Sequence, residues 1–369
     1  MILKPLCLAF LLLLVPASAQ AATVSVGSDA ILTYQAKPGE RSALDVGLAS
    51  GDDSDRYLVF TESREPLTAA TGCTQITALR VQCLERFYAG GGVYVYPVKG
   101  IKYMLGDLDD SVSHYSSIEQ PIEAYGEEGN DNISGADNSL SVVGVPRVFD
   151  LLDGGPGEDK IDGKSGNNRV YGQAGNDDLV AAEGNDLLEG GAGGDKLDGG
   201  PGADQLSGGS GNDSLVSGDF GSSLESDVLI GGSGLDTADY SSYSNPLRLS
   251  LDGLANDGAL GENDNLREIE NMTGGYRNDS LKGNSSNNLI VGGGGDDTIS
   301  AGAGSDKIYG GNGDDKLTGG TGLDRVFGES GDDYLILKDG ARDIGSCSLG
   351  DDSVKADRSD KLSGCEMRR

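Results

Sequence analysis

The chain of 369 residues contains no tryptophan and a single histidine, His114, so it is poor in a side chain that often performs general acid–base catalysis. The His-Glu-x-x-His helix of zinc proteases and the Gly-x-Ser-x-Gly nucleophile elbow are both absent from the sequence. Basic residues number 28 against 60 acidic ones, and the formal net charge of −32 argues against nucleic acid as a partner, since phosphate binding depends on clustered Lys and Arg. We expect His114, which stands near Asp109 and Asp110, to be a surface histidine, and we predict that the protein is not an enzyme.

Long apolar runs are absent except at the N-terminus. Residues 6–15 form an apolar stretch that follows Lys4 and is too short for a bilayer-spanning helix. The tripeptide Ala19-Gln20-Ala21 after it has the small residues of a cleavage site. We therefore predict that residues 1–21 are a Sec-type signal peptide and that the mature protein is secreted, extracellular or at the cell surface, with no membrane span.

Cysteine is scarce, with five residues in the chain. Cys7 lies in the predicted signal peptide and would leave with it. An even number of cysteines then remains in an exported chain, which predicts disulfides. Three sets of pairs are open, and Cys73 with Cys83 and Cys347 with Cys365 are the local choice.

Glycine is abundant, with 61 residues, and much of it belongs to a nine-residue period over residues 154–216 and 274–336. Glycine favours positions 1, 2 and 4, Asp or Asn occupies position 6, and an aliphatic residue occupies position 8, as in 190–198 (GGAGGDKLD). Glycine allows the positive φ of a tight turn, and the second half of the unit predicts a short strand with one inward side chain. A flexible Gly/Asp-rich linker would have no reason to keep this aliphatic position.

This pattern resembles the G-G-x-G-x-D-x-U-x repeat of RTX proteins. The resemblance implies an all-β fold, a parallel β-roll (right-handed β-solenoid), in which two repeats form one coil and residues eighteen apart stack. The N-terminal signal and the cysteines make the chain similar to Sec-exported, actinobacterial-like haemolysin-type calcium-binding repeat proteins. Residues 70–83 and 343–366 carry that similarity.

Stacked position-6 carboxylates would repel one another unless a cation lay between them. The turns contain oxygen ligands but neither the His nor the Cys that transition metals prefer, and magnesium keeps its water more firmly than calcium does. We predict about ten calcium ions in two ladders and repeats that fold on binding them. The predicted metal ligands are Asp159, Asp177, Asp186, Asp195, Asp204, Asp213, Asp227, Asp236, Asp279, Asp297, Asp306, Asp315, Asp324 and Asp333.

Some repeats depart from the pattern. Asn168 and Asn288 replace the acid at position 6, and Arg277 and Ser286 replace the glycine at position 4. We predict weak or empty calcium sites at these repeats.

The repeats divide the chain into six segments: a signal peptide (1–21), an N-terminal β-rich domain or set of capping coils (22–112), a first block (113–239), an inserted coil (240–273), a second block (274–336) and a disulfide-stapled cap (337–369). Capping coils are slightly favoured for 22–112, because residues 105–113 already resemble a degenerate repeat. For the acids of the insertion, Asp252, Asp257, Glu262 and Asp264, two interpretations stay open: an extra calcium site and a solvated acidic loop.

The function predicted from these features is that of an extracellular calcium-binding β-roll with a surface, matrix or adhesive role. Its partners would be calcium and, as a further option, acidic glycans or cell-surface components. One alternative is a polysaccharide-active enzyme, although the catalytic domains that RTX rolls follow are much larger than residues 22–112. The other alternative is an ice- or glycan-recognition module on an RTX roll.

Overall fold

A computed structural model describes residues 22–26, 31–36, 43–50, 56–62, 67–69, 73–77, 80–89, 93–95, 100–114, 121–136, 149–218 and 225–367. The predicted signal peptide lies outside the described residues. The part of the chain that the structure describes consists of strands and turns, with no helix. No bilayer-spanning helix therefore occurs among these residues.

The N-terminal strands pair directly with the first coil of a long solenoid. They are β1 (Ala22–Val26), β2 (Ile31–Gln35), β3 (Ala43–Ser50), β4 (Arg56–Glu62), β5 (Leu67–Ala69), β6 (Cys73–Thr77), β7 (Arg80–Ala89), β8 (Val93–Val95) and β9 (Gly100–Gly106). Strand β2 is parallel to β9, with Leu32 opposite Ile101. Strands β4, β6, β7 and β8 extend an antiparallel meander from β3. This meander places Cys73 opposite Cys83 in register, while the side chains of both cysteines lie outside the described part of the structure.

The solenoid continues through the first block in short parallel strands. These are β10 (Ser111–His114), β11 (Ile122–Glu127), β12 (Asn132–Ser134), β13 (Leu151–Pro156), β14 (Lys160–Asp162), β15 (Arg169–Ala174), β16 (Asp178–Val180), β17 (Leu187–Ala192), β18 (Lys196–Asp198), β19 (Gln205–Ser210), β20 (Ser214–Val216), β21 (Val228–Ser233) and β22 (Thr237–Asp239). Strand β10 is also parallel to β3, with Val112 opposite Leu44.

The rest of the chain repeats this arrangement after an interruption. The insertion holds β23 (Leu247–Ser250), β24 (Ala255–Ala259), β25 (Asp264–Arg267) and β26 (Asn271–Thr273). The second block and the cap hold β27 (Ser280–Lys282), β28 (Leu289–Gly294), β29 (Thr298–Gly304), β30 (Lys307–Asn312), β31 (Lys316–Gly322), β32 (Arg325–Ser330), β33 (Tyr334–Ile336), β34 (Ile344–Ser346), β35 (Ser353–Lys355), β36 (Lys361–Ser363) and β37 (Glu366–Met367).

Consecutive strands alternate between two parallel sheets, so each coil contributes one strand to each sheet. Sheet 1 is the 18-stranded sheet that runs from β10 through β14, β18 and β22 to β36, and sheet 2 is the 19-stranded sheet that contains β9, β13, β17 and β21. Pairs such as Leu179 with Leu197 show the eighteen-residue coil that the RTX resemblance implies. The all-β parallel β-roll predicted from the repeats is confirmed.

The core lies between the sheets and is built from the aliphatic residues at position 8. In the repeats these side chains are fully buried, as at Leu188, Leu206, Ile308 and Leu317. A strand alternates its side chains between faces, so one residue of each three-residue strand points inward and its neighbours point outward. The period therefore dictates both the core and the two outer faces.

The insertion is more than a longer coil. Strand β25 continues sheet 2 after β21, and β26 continues sheet 1 after β22. Strand β23 starts a new parallel run with β27. Strand β24 is antiparallel to both β23 and β25 and fills the gap between them. Tyr240 and Tyr243 are buried with ring centroids 5.0 Å apart, so they pack inside the junction, whereas Tyr276 is 66% exposed.

The cap contains the predicted Cys347–Cys365 disulfide. It joins the segment after β34 to the segment after β36, with the two Cα atoms 5.2 Å apart. Cys347 is fully buried and packs against the core. A parallel solenoid exposes unpaired backbone groups at its last coil, and this crosslink ties that coil to the one before it.

Candidate calcium-binding ladders

The position-6 residues form a ladder that runs beside sheet 1. Each of these residues immediately precedes a strand of that sheet. The N–H of Asp159 donates to Asp177 Oδ1 at 2.8 Å, and the N–H of Asp177 donates to Asp195 Oδ1 at 2.9 Å. The same bond recurs along the whole sheet through Asp110, Asp131, Asp159, Asp177, Asp195, Asp213, Asp236 and Glu270, and again through Asn288, Asp306, Asp324, Asp343 and Asp360.

A second ladder runs beside sheet 2. The N–H of Asp186 donates to Asp204 Oδ1 at 2.7 Å, and the N–H of Asp297 donates to Asp315 Oδ1 at 2.8 Å. Strand β24 divides this ladder into two runs. The first contains Asp150, Asn168, Asp186, Asp204, Asp227 and Asp264, and the second contains Asp279, Asp297, Asp315, Asp333 and Asp352.

All fourteen acids predicted as metal ligands lie in these ladders, and all are buried. Beside sheet 1 are Asp159, Asp177, Asp195, Asp213, Asp236, Asp306 and Asp324. Beside sheet 2 are Asp186, Asp204, Asp227, Asp279, Asp297, Asp315 and Asp333. The insertion changes which repeats lie beside which sheet. After it, Glu270 and Asn288 continue the sheet 1 ladder of Asp213 and Asp236.

Eight further acids of the ladders lie outside the ligand set predicted from the sequence. They are Asp110, Asp131, Asp150, Asp264, Glu270, Asp343, Asp352 and Asp360. The signal for some was present, since Asp343 and Asp352 keep the nine-residue spacing. Glu270 and Asp264 had no such signal, because the insertion breaks the period before them.

The second carboxylate oxygen of many ladder residues has no hydrogen-bond partner. Buried Oδ2 atoms of this kind belong to Asp131, Asp159, Asp177, Asp195, Asp213, Asp236, Asp297, Asp306, Asp315, Asp324, Asp333, Asp343 and Asp352. A buried polar atom without a hydrogen-bond partner costs free energy. A row of such carboxylate oxygens therefore indicates that a cation would complete these sites.

Backbone oxygens converge on the same places. A Cβ built on Gly172 would collide with Asp177 Oδ2 and with the carbonyl oxygen of Gly190 in the next coil. A Cβ on Gly292 would collide in the same way with Asp297 Oδ2 and the carbonyl oxygen of Gly310. At these two positions glycine leaves room between the carboxylate and the carbonyl, whereas Ala181 and Ala301 occupy position 1 in two other repeats.

Burial makes these carboxylates hard to ionise in the absence of a cation. Burial, together with the charges of Asp279 and Asp315, raises the pKa of Asp297 to about 8. Burial likewise raises the pKa of Asp159 to about 7, and that of Asp177 to about 6. A bound cation would reverse this effect, because it favours the charged form.

The donor set fits calcium. Carboxylate and carbonyl oxygens are the hard ligands that calcium takes in a flexible shell, while magnesium demands a tighter octahedron. Over the described residues, no group of three or more His, Cys, Asp or Glu side chains is arranged to hold a metal ion. Backbone carbonyls would therefore complete each site beside the carboxylates of neighbouring coils.

The repeats also match a known family. The model of the RTX calcium-binding nonapeptide repeat matches in four copies, at residues 153–188, 180–215, 273–308 and 309–343. The chain therefore contains RTX-type calcium-binding repeats. The matched segments cover residues 153–215 of the first block and the whole second block, where the buried carboxylates stack. A search of curated proteins finds no match to the chain.

In two repeats of the RTX roll asparagine replaces the acid, and its side-chain amide donates hydrogen bonds to backbone carbonyls. Asn168 Nδ2 donates to the carbonyl oxygens of Gly163 at 3.0 Å and Lys164 at 3.2 Å. Asn288 Nδ2 donates to the carbonyl oxygen of Glu270 at 2.6 Å. In each case the amide nitrogen donates to backbone carbonyls, and weak or empty sites at these repeats remain a prediction.

The acids of the insertion are mostly not a solvated loop. Asp257, Glu262 and Asp264 are buried, whereas Asp252 is exposed. Asp257 accepts the N–H of Ser250 at 2.5 Å, and Glu262 accepts the N–H of Ala259 at 2.7 Å. Asp264 belongs to the second RTX ladder and also accepts the hydroxyl of Tyr240 at 2.8 Å. These carboxylates hold the inserted strands in place.

His114 is not the surface residue that the sequence suggested. Its side chain is half-buried, and its Nε2 lies 3.0 Å from the hydroxyl of Tyr103. Burial lowers the pKa of His114 to about 4, so the ring is neutral at physiological pH. The reason for the error is that β10 brings His114 onto the edge of the first coil beside the buried Tyr103, which proximity to Asp109 and Asp110 in sequence does not reveal.

Proposed function

We propose that this protein is an extracellular, calcium-folded RTX roll without enzymatic activity, which serves a surface, matrix or adhesive role after Sec-dependent export. The observation that supports this proposal is the row of buried Oδ2 atoms without hydrogen-bond partners beside both sheets. The proposed ligands are the fourteen ladder aspartates predicted from the sequence, with about ten ions in all.

Repulsion between carboxylates would make folding depend on calcium. Adjacent coils place carboxylates within reach of one another, as in the stack of Asp177 on Asp195, and the net charge of −32 adds repulsion over the whole chain. Calcium, when bound, would supply the positive charge that lets neighbouring turns close on each other. A site assembled from two coils does not exist in the unfolded chain, so the binding energy contributes directly to folding.

This dependence would suit export. The roll would stay unfolded where calcium is scarce and fold where it is plentiful, since extracellular calcium modules bind with Kd values of roughly 10⁻⁴–10⁻³ M. The folded roll then offers two long flat faces formed by the outward residues of sheets 1 and 2. A matrix or adhesive partner would bind to these faces.

The experiment is a far-UV circular dichroism titration of the mature protein with calcium at pH 8, after dialysis against a chelator, with magnesium as the control ion. We expect a transition from disorder to β-structure with calcium and little change with magnesium. Full β-signal in chelator would contradict calcium-dependent folding, and an equal response to magnesium would contradict the assignment of the ion.

A further inference from the structure

One outer surface of the second block differs from the rest of this acidic protein. On strands β28, β30, β32, β34 and β36 of sheet 1, positions 7 and 9 point outward and carry no Asp or Glu. Instead they include Lys307, Tyr309, Arg325, Phe327 and Lys361, which we call the basic face. The nearest acid on the same strands is Glu329, where β32 enters its turn.

The residues of the basic face lie in two parallel rows across the strands. Lys307 is in register with Arg325, and Tyr309 is in register with Phe327. The rings of Tyr309 and Phe327 are stacked, with centroids 5.0 Å apart and planes at 17°. Lys307 Nζ lies 4.7 Å from the centroid of the Tyr309 ring. The face thus joins a row of cations to a row of apolar rings.

These cations are available for a ligand. No carboxylate among the described residues forms an ion pair with Lys307, Arg325 or Lys361. All three side chains are exposed. In a chain with 60 acidic residues against 28 basic ones, three such cations on one flat surface indicate an anionic partner.

The same sheet in the first block serves as an internal comparison. There, Lys160 pairs with Asp178 at 3.6 Å, and Asp162 and Asp198 also point outward beside Lys196. Charges of both signs alternate on that surface and neutralise each other. The basic face is therefore a property of the second block, although both blocks share one backbone.

We propose that the basic face binds an anionic polysaccharide that lies along the axis of the roll and crosses its strands. Neighbouring strands are about 4.8 Å apart, so Lys307 and Arg325 would flank one acidic group of a linear chain, and Lys361, two strands beyond Arg325, would meet the next acidic group. The adjacent rings offer an apolar ridge to the C–H faces of those sugars. The cations extend from β30 to β36, which suits an extended polymer better than a small ligand.

This inference rests on the proposed function, because calcium has two effects on the face. Folding aligns the strands that carry Lys307, Arg325 and Lys361. Neutralisation of the ladder acids would also remove most of the long-range repulsion that a charge of −32 exerts on a polyanion. Binding should therefore require calcium even though the ion does not touch the sugar.

The test is the binding of fluorescently labelled hyaluronate oligosaccharides to the mature protein in calcium, measured by anisotropy at low and physiological salt. Hyaluronate carries carboxylates but does not gel with calcium, which keeps calcium bridging out of the measurement. We expect the double variant Lys307→Ala/Arg325→Ala to bind about fivefold more weakly or worse, because each exposed ion pair contributes a modest amount. The matched control, Lys160→Ala/Lys196→Ala on the first block, should bind like the wild type, and neutral dextran should not bind.

Several outcomes would overturn the inference. The inference would be wrong if the calcium-folded wild type did not bind hyaluronate. It would also be wrong if the Lys307→Ala/Arg325→Ala variant bound as tightly as the wild type, or if the control variant lost as much binding. Tighter binding of single-stranded DNA would assign the face to nucleic acid, and a wild-type dimer that this variant dissociates would assign it to a second copy of the chain. Circular dichroism of each sample separates these outcomes from failure of the proposed function, which would appear as β-structure indifferent to calcium.

Discussion

The two repeat blocks share a backbone, a core and a row of buried acids, yet they differ on the outside. Leu197 in the first block and Leu317 in the second occupy the same inward position and are equally buried. Outward, the first block presents Asp162 and Asp198 on sheet 1, where the second presents Tyr309 and Phe327. Positions 4, 6 and 8 are constrained by turn, metal and core, whereas positions 7 and 9 are free to change.

This difference shows where specificity can reside in a solenoid. A change at position 6 or 8 alters the stability of the coil. A change at position 7 or 9 alters only the surface that a partner would contact. Coils contact only their neighbours, so the stability of a solenoid is roughly a sum of local terms. The two blocks can therefore be perturbed separately, with each serving as the control for the other.

The largest effect should come from removing adjacent ladder acids in one block. Asp297→Ala/Asp315→Ala removes ligands from as many as three neighbouring sites beside sheet 2. Each lost site should cost about 2.7 kcal/mol of calcium-dependent stability when calcium is near 100 times its Kd. Hydrogen exchange in calcium, followed by mass spectrometry, should show lost protection over 279–336 and retained protection over 154–216.

The counterpart Asp177→Ala/Asp195→Ala should reverse that pattern, because it removes stacked acids of the first block. If either variant exposed both blocks equally, the roll would unfold as one unit and the comparison between blocks would fail.

The next effect is a difference in pH response between individual coils without calcium. A carboxyl with a raised pKa holds its proton more tightly in the folded chain than in the unfolded chain, so protonation stabilises the fold. This stability is complete below the ordinary aspartate pKa of about 4 and is lost as the pH rises through the folded value. That value is about 6 for Asp177 and Asp195, about 7 for Asp315 and about 8 for Asp297.

In chelator we therefore expect β-structure to be more stable at pH 5 than at pH 8.5, and the coils around Asp297 to keep acid-dependent protection to higher pH than those around Asp177. Hydrogen exchange corrected for the intrinsic pH dependence of amide exchange measures this. Stability that rises with pH in chelator would show that these carboxyls are ionised in the calcium-free fold.

The smallest effect should come from restoring an acid where each block has an amide. Asn168→Asp removes the two bonds from Nδ2 to the carbonyls of Gly163 and Lys164, which should cost about 0.5–1.5 kcal/mol each without calcium. With calcium, the new carboxylate should add one ion to the stoichiometry measured by equilibrium dialysis. Asn288→Asp is the matched change in the second block. An unchanged ion count in both variants would mean that position 6 alone does not decide occupancy.

Much of the architecture could be predicted because the repeat is local. Asp or Asn at position 6 and an aliphatic residue at position 8 recur in every unit, so a single stacking rule places Asp159, Asp177 and Asp195 in one row and Leu188 and Leu206 in the core. That rule predicts nothing where the period stops. It could not show that β24 would enter sheet 2 antiparallel, or that Glu270 would join the row of Asp213 and Asp236.

The sequence by itself thus determined the β-roll, its core and the ladder acids that lie inside regular repeats, because each follows from residues nine positions apart whose backbone geometry repeats. Only the tertiary structure decided how the blocks join and that His114 is half-buried. Those features depend on pairing outside the eighteen-residue spacing, such as β22 with β26 and β3 with β10. The register of such pairs is set by packing across the whole roll, which no local period records.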